Sequence, residues 1–401
     1  MSVLDQIVKA YDIRGTVPDQ LNSEVAHALG VSFAKFVPSD RVVVARDMRP
    51  SGPELVDAFT SGLRSHGVGV VDIGLASTDL MYFASGTLDL PGAMFTASHN
   101  PAGYNGVKMC LAGARPVGVD TGLGEIRAMA QSVLDGIGPS ADGASGSYEE
   151  RDLLDAFADH VLSFVDISTI GKLRVVADTA NGMGGLVVPA VIERVPGVEL
   201  EVLFGELDGT FPNHPADPLQ PANQVDLQAR VVGGGFDIGL AFDGDADRVF
   251  VVDESGEGLS GSTTTALLAS ATLRADPGAT ILHNLICSRA VPEVVRELGG
   301  TPVRTRVGHS FIKQVMAETG AVFGGEHSAH YYFARNFNAD SGLIASLMVM
   351  AEVGTCGQPL SVVRKPYERY SSSGEINTQV DDAAAVIEKV SEAYAGHEQD
   401  R

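Results

Sequence analysis

One pattern recurs three times along this chain: a short run rich in Val and Ile, an amphipathic stretch at helical spacing, and a second short apolar run. It occupies residues 41–46, 53–66 and 69–73, then 173–177, 185–195 and 199–204, then 280–283, 288–298 and 302–304. Apolar β-branched runs this short, separated by a 3.6-residue period, are strand–helix–strand signals, and the strands they join are parallel and buried on both faces. The 401 residues exceed one ordinary domain of about 100–200 residues. The repetition therefore predicts three related α/β modules with mixed sheets sandwiched by helices, rather than one large sheet.

Boundaries follow from composition. The Gly/Ser/Ala-rich stretch 136–147 reads as a linker before a helix over 149–165. This gives modules at 1–145, 146–254 and 255–365. The remainder, 366–401, holds one strand candidate (374–380) and one helix (382–395), too little to bury a core alone. It reads as an incomplete α+β fourth module.

Composition excludes some functions. With Asp+Glu 51 against Lys+Arg 28, the net charge of −23 repels phosphate backbones and anionic lipid, so neither a nucleic acid nor a membrane surface is an expected partner. No basic, apolar leader opens the sequence, and the uncharged run between Asp340 and Glu352 is too short to span a bilayer. Cys110, Cys287 and Cys356 form no C-x-x-C pair, so a cytoplasmic, reducing compartment is expected.

Three segments can carry chemistry. In Thr96-Ala97-Ser98-His99-Asn100-Pro101-Ala102-Gly103-Tyr104-Asn105-Gly106-Val107-Lys108, Ser98 follows an apolar run and precedes turn formers, which places a small hydroxyl at the end of a strand. By itself this reads as a polar loop with an ordinary Ser, and a nucleophilic or phosphorylated Ser needs more around it. In Asp243-Gly244-Asp245-Ala246-Asp247-Arg248, three carboxylates separated by small residues can converge on a hard divalent cation such as Mg²⁺, with Arg248 beside them to meet phosphate charge. Three other readings stand beside that one. An EF-hand would place Glu254 twelfth but Arg248 where Gly is required. A haloacid-dehalogenase-like phosphatase would use Asp243 as nucleophile, and a solvated acidic turn would bind no metal. In Gly324-Gly325-Glu326-His327-Ser328-Ala329-His330, Glu326, Ser328 and His330 alternate, so on an extended stretch they face one side and could bond sugar hydroxyls.

Taken together, in this order and spacing, the segments resemble the α-D-phosphohexomutases, a family that includes phosphomannomutases and phosphoglucomutases. The resemblance runs from Lys9-Ala10-Tyr11-Asp12-Ile13-Arg14-Gly15 to Ser373-Gly374-Glu375-Ile376-Asn377. It implies a phosphoserine at Ser98 and Mg²⁺ held by Asp243, Asp245, Asp247 and a phosphoserine oxygen. It also implies reversible phosphoryl transfer between the 1 and 6 positions of a hexose phosphate through a hexose 1,6-bisphosphate. Arg14, Lys108 and Arg248 match cationic positions around the transferring group, and His99 a proton-transferring or orienting one. Tyr11, His309, Glu326, Ser328 and His330 match substrate-binding positions, and the protein is expected as a monomer or homodimer.

Two departures stand out. Ile286 occupies a position where some members carry a substrate-contacting Lys, and nothing after Asn377 matches the Arg-x-Ser-x-Thr loop that clamps the distal phosphate. The alternatives this leaves are a catalytically impaired sugar-phosphate binder and a phosphoserine-type phosphatase.

Overall fold

The computed structural model describes residues 2–141, 143, 145–371 and 378–396. The chain divides into two compact units, Met1–Arg369 and Tyr370–Arg401. The first is built on three sheets, which mark modules I, II and III.

Sheet I contains β1 (Ile13–Thr16), β2 (Arg41–Arg46), β3 (Gly69–Leu75), β4 (Gly92–Phe95), β5 (Tyr104–Leu111), β6 (Arg115–Pro116) and β7 (Tyr148–Glu150), ordered β1-β5-β4-β2-β3-β7 with β6 on β5. Sheet II is β11-β10-β8-β9, from β8 (Leu173–Asp178), β9 (Val198–Leu203), β10 (Ile238–Phe242) and β11 (Val249–Asp253). Sheet III is β13-β12-β14-β15-β16, from β12 (Thr280–Asn284), β13 (Thr301–Thr305), β14 (Phe323–Gly325), β15 (Tyr331–Phe333) and β16 (Ala339–Asp340).

The same device recurs in each. A parallel strand ends, the chain turns, and the next strand returns antiparallel beside it: β4 to β5, β10 to β11, β14 to β15. Ligand sites of α/β proteins lie beyond the carboxyl ends of parallel strands, and these turns lie there.

The period-2 alternation of β2 divides the core. Val42 and Val44 face the helices Ser23–Phe36, Gly52–Ser65 and Leu123–Leu134, whose Phe33 and Phe59 pack with Phe95. Val43 and Ala45 face the other way, into a cluster that also takes Phe83 from the helix Thr78–Leu88, Phe242 from module II and Phe323 from module III. One apolar core thus runs through all three modules and fixes the turns relative to one another.

The expected helix over 149–165 is shorter, and part of it is a strand. Tyr148–Glu150 pairs parallel to β3 as the sheet edge, and the helix spans Leu154–Leu162 after Asp152 accepts from the Leu154 amide at 2.9 Å. In the second unit a helix covers Ala383–Ala393, with Asp382 accepting from the Ala385 amide. Of the strand expected at 374–380, residues 374–377 lie outside the described residues, and 378–380 form no strand with any described residue. Among the described residues, no single helix is long and apolar enough to cross a membrane.

Candidate active site

Ser98 sits in the turn after β4 at φ +49°, a left-handed conformation that an L-residue adopts only when its surroundings impose it. It is buried, its amide donates to Thr96 Oγ1 at 2.9 Å, and its hydroxyl donates to Asp243 Oδ2 at 2.7 Å. That second contact joins module I to module II and requires a glycine. A Cβ on Gly244 would lie 2.4 Å from the Ser98 carbonyl oxygen, so only residue 244 without a side chain lets the turns meet.

Cations from both modules enclose the carboxylates. Arg248 Nε donates to Asp243 Oδ2 at 2.9 Å, and its Nη2 reaches Ser98 Oγ at 3.4 Å and contacts His99 Nδ1. Lys108, carried on β5, donates to Asp245 Oδ2 and Asp247 Oδ2 at 2.7 Å each. The Thr78 hydroxyl adds a bond of 2.6 Å to Asp245 Oδ2. Arg14 approaches from β1, bonded to Asp12 Oδ2 at 2.6 Å and to Asn100 Oδ1 at 2.7 Å.

This crowding separates the acids. Burial, with Asp247 and Asp245 adding and Arg248 opposing, pushes Asp243 up to about 7. For Asp245 burial works in the same direction, but Lys108, the Thr78 hydroxyl and Arg248 outweigh it and hold the carboxyl well below the usual range. Burial and then the charges of Arg248 and Arg14 bring His99 down to about 2. Its neutral ring faces a guanidinium donor, so Nδ1 accepts and the proton resides on Nε2.

The donor set fits a hard divalent cation. One oxygen from each of Asp243, Asp245 and Asp247 lies within 4.8 Å of the others. Among the described residues, Asp245 Oδ1 and Asp247 Oδ1 are buried without a hydrogen-bond partner. Buried anionic oxygens without donors are costly unless a cation meets them.

The third turn differs from its expected form. Residues 326–330 are not extended: Ala329 takes φ +65° and the Glu326 amide donates to the His330 carbonyl at 2.9 Å, so the chain doubles back. The period-2 rule therefore does not apply, and Glu326, Ser328 and His330 do not share a strand face. Glu326 is buried, with Oε1 accepting from Asn284 Nδ2 at 3.1 Å and the Gly308 amide at 3.2 Å, and Oε2 from the Tyr332 hydroxyl at 2.8 Å. Ser328 is half-buried. His330 bridges to Arg248 through the backbone, bonds Asp340 Oδ2 at 2.8 Å and lies 3.7 Å from Asp247 Oδ1.

Tyr11 packs beside Gly308, where a Cβ would lie 3.5 Å from its ring. His309 opens the helix His309–Thr319; its side chain lies outside the described residues. The structure thus gathers Ser98, His99, Lys108, Arg14, Arg248, His330 and the three aspartates, and places Tyr11 at the adjoining module III segment. Sequence reasoning passed over Thr78, Asn100, Asp340, Asp47 and Arg49. The last two carried a signal: the charged cluster Arg46-Asp47-Met48-Arg49 at the end of a buried strand.

Comparison with other proteins agrees with this geometry. Residues 5–133, 155–256 and 260–370 match phosphoglucomutase/phosphomannomutase alpha/beta/alpha domains I, II and III in that order. The chain is 38% identical over 393 residues to a phosphomannomutase of Salmonella montevideo, covering 96% of this chain and 86% of that protein. It is 39% identical over 388 residues to a phosphohexose mutase of Xanthomonas campestris pv. campestris, with the same coverage. The solved structure of a phosphoglucomutase/phosphomannomutase family protein from Burkholderia thailandensis has a TM-score of 0.83 at 34% identity, covering 91% of this chain and 80% of that one.

Proposed function

Because the chain belongs to the phosphoglucomutase/phosphomannomutase family, we propose that it is a phosphohexomutase that moves a phosphoryl group between the 1 and 6 positions of glucose or mannose phosphate. The route is a phosphoserine at Ser98 and a hexose 1,6-bisphosphate that turns over in the cleft and returns its other phosphate to Ser98. One observation carries this reading: a buried hydroxyl at positive φ donates to the carboxylate cluster at 2.7 Å, with Arg248, Lys108 and Arg14 closing around it.

In phosphoryl transfer the protein mainly positions the reactants and neutralises spreading charge. Asp243, Asp245, Asp247 and Ser98 would hold Mg²⁺, which supplies positive charge for the phosphoryl oxygens. Arg248 links the Ser98 hydroxyl to Asp243 and thereby orients the nucleophile. Lys108 keeps Asp245 ionised, and Arg14, tied to Asn100, brings a second guanidinium to the turn. Neutral His99 is suited to orient or accept beside Ser98. Tyr11, His309, Glu326, Ser328 and His330 are the proposed sugar and distal-phosphate contacts. The enzyme would act in the cytoplasm as a monomer or homodimer.

Intact-mass spectrometry of the full chain is expected to find phosphate on Ser98. A coupled assay with mannose 1-phosphate or glucose 1-phosphate, plus catalytic bisphosphate and Mg²⁺, is expected to yield the 6-phosphate. Unmodified Ser98 together with no isomerisation under those conditions would overturn the reading.

A further inference from the structure

We infer that Arg49 is the positioning residue of the nucleophile loop, acting on Ser98 through its backbone carbonyl; the inference rests on the reading of Ser98 as the phosphoryl carrier. Arg49 follows β2, and its side chain is fully buried. All five of its side-chain N–H groups are engaged. Nε donates to Asp47 Oδ2 at 3.2 Å, Nη1 to the carbonyls of Pro101 and Tyr104 at 2.9 Å each, and Nη2 to those of Ser98 at 2.8 Å and Asn100 at 2.7 Å.

Four carbonyls of one loop thus turn inward onto one planar cation. Without it each of the four would lose a donor, at greatest cost for the buried Ser98 carbonyl, while Pro101 would keep the Tyr104 amide at 3.0 Å, so the inward curl would be held by far less. The curl is what puts Ser98 at φ +49° and its Oγ onto Asp243. Asp47 completes the arrangement: its Oδ1 accepts from the Arg49 amide at 2.9 Å, and Thr96, which receives the Ser98 amide, bonds its carboxylate.

Module II covers this clamp. The Phe211 ring lies 5.2 Å from Arg49 Cζ, a cation–π distance. A Cβ on Gly209 would lie 2.6 Å from Arg49 Cα, so that loop rests directly on the Arg49 backbone. The module that supplies the acidic turn therefore also seals the residue that aims the hydroxyl at it. A lysine could not substitute: three donors on a point charge cannot serve four carbonyls spread around a fork.

The test uses the full chain, its Arg49→Lys variant and, independently, Phe211→Leu. For R49K that remains folded by circular dichroism, kcat is expected to fall about 100-fold with KM within about threefold, the cost of misplacing a reacting atom by about 1 Å. The ratio of inorganic phosphate released to isomer formed should rise about tenfold, since a loosely aimed phosphoserine is open to water, and amide exchange across 96–106 should accelerate. A merely structural role would lower the melting temperature without moving that ratio.

Folded R49K with parental kcat and parental phosphate-to-isomer ratio overturns the inference. If R49K does not fold, F211L decides: it keeps every hydrogen bond and removes only the cover, and a kcat equal to the parent's overturns the inference, while a fall of about threefold supports it. A parent chain with neither phosphoserine nor isomerisation would instead sink the functional reading. In that event exchange across 96–106 in the same variants still tests the clamp, and unchanged rates overturn it.

Discussion

The acidic turn of module II and the Glu326 turn of module III are built alike. Each leads from a parallel strand into an antiparallel one, each turns on an alanine at positive φ, Ala246 at +59° and Ala329 at +65°, and each buries carboxylates. They differ in what meets the oxygens. Asp245 and Asp247 are served mainly by Lys108 from another module, and each keeps one buried oxygen with no donor among the described residues. Glu326 is served by Asn284, Gly308 and Tyr332, all neutral and all from its own module. The same turn thus makes an unfinished anionic site in one module and a completed one in the other, so local backbone form does not determine the chemistry. The donors contributed by neighbouring chain segments do.

Neutralising one carboxylate in each turn is the strongest way to break that contrast. Asp245→Asn is expected to cost about 1000-fold in isomerisation, because it removes one of the proposed ligands and the partner of both Lys108 and Thr78. Calorimetry should find Mg²⁺ binding lost. Glu326→Gln preserves shape but sets an amide N–H₂ against groups that are themselves donors. It should raise KM about tenfold and lower the melting temperature, while leaving Mg²⁺ affinity at the parental value. Equal loss of metal binding in both variants would show that the turns are not distinct.

How far each turn was legible in sequence follows the same division. Ser98, Asp243, Asp245, Asp247, Lys108 and Arg248 stand in compact segments whose residue types already suggest chemistry, and the three-module architecture was visible in the strand–helix rhythm. Thr78 gives no sign of its role in the sequence, and the charged cluster 46–49 marks Arg49 without revealing what it holds, because their partners lie 167 and 49–55 residues away and only folding brings them together. Treating 326–330 as extended failed at Ala329, whose left-handed backbone no local rule foretells. The helix expected over 149–165 takes in two residues of the edge strand Tyr148–Glu150, because a polar edge carries no apolar alternation to mark it.

Asp79 lies between the two turns and gives the next largest effect. Its neighbour Thr78 holds Asp245, while its own carboxylate accepts from the hydroxyl of Ser341, beside Asp340 of module III, at 2.7 Å. Burial pushes it up from 3.8 to about 7 despite its hydrogen bonds to Ser341 and Ser77. Folded protein therefore binds this proton more tightly than unfolded chain, and stability falls as pH rises from about 4 to about 7, then levels off. Asp79→Asn should remove that slope, so that the variant's melting temperature gains on the parent's across this window. Parallel melting curves at both ends of the window would refute the assignment.

The smallest change asks whether the completed turn can be made to resemble the unfinished one. Tyr332→Phe takes away the hydroxyl that serves Glu326 Oε2, leaving a buried carboxylate oxygen in the condition of Asp245 Oδ1. Loss of one hydrogen bond to a buried charged acceptor should cost about 1–3 kcal/mol of stability, read as an earlier chemical-unfolding midpoint. Mg²⁺ affinity should not move, because the three aspartates and Lys108 are untouched. The value of the variant lies in its KM. If Glu326 serves sugar hydroxyls in the working enzyme, freeing one of its oxygens leaves KM equal to or below the parental value, opposite in direction to Glu326→Gln. A KM raised equally in both would mean that Glu326 acts only by holding Asn284, Gly308 and Tyr332 in place, and that the sugar is read by other groups of module III.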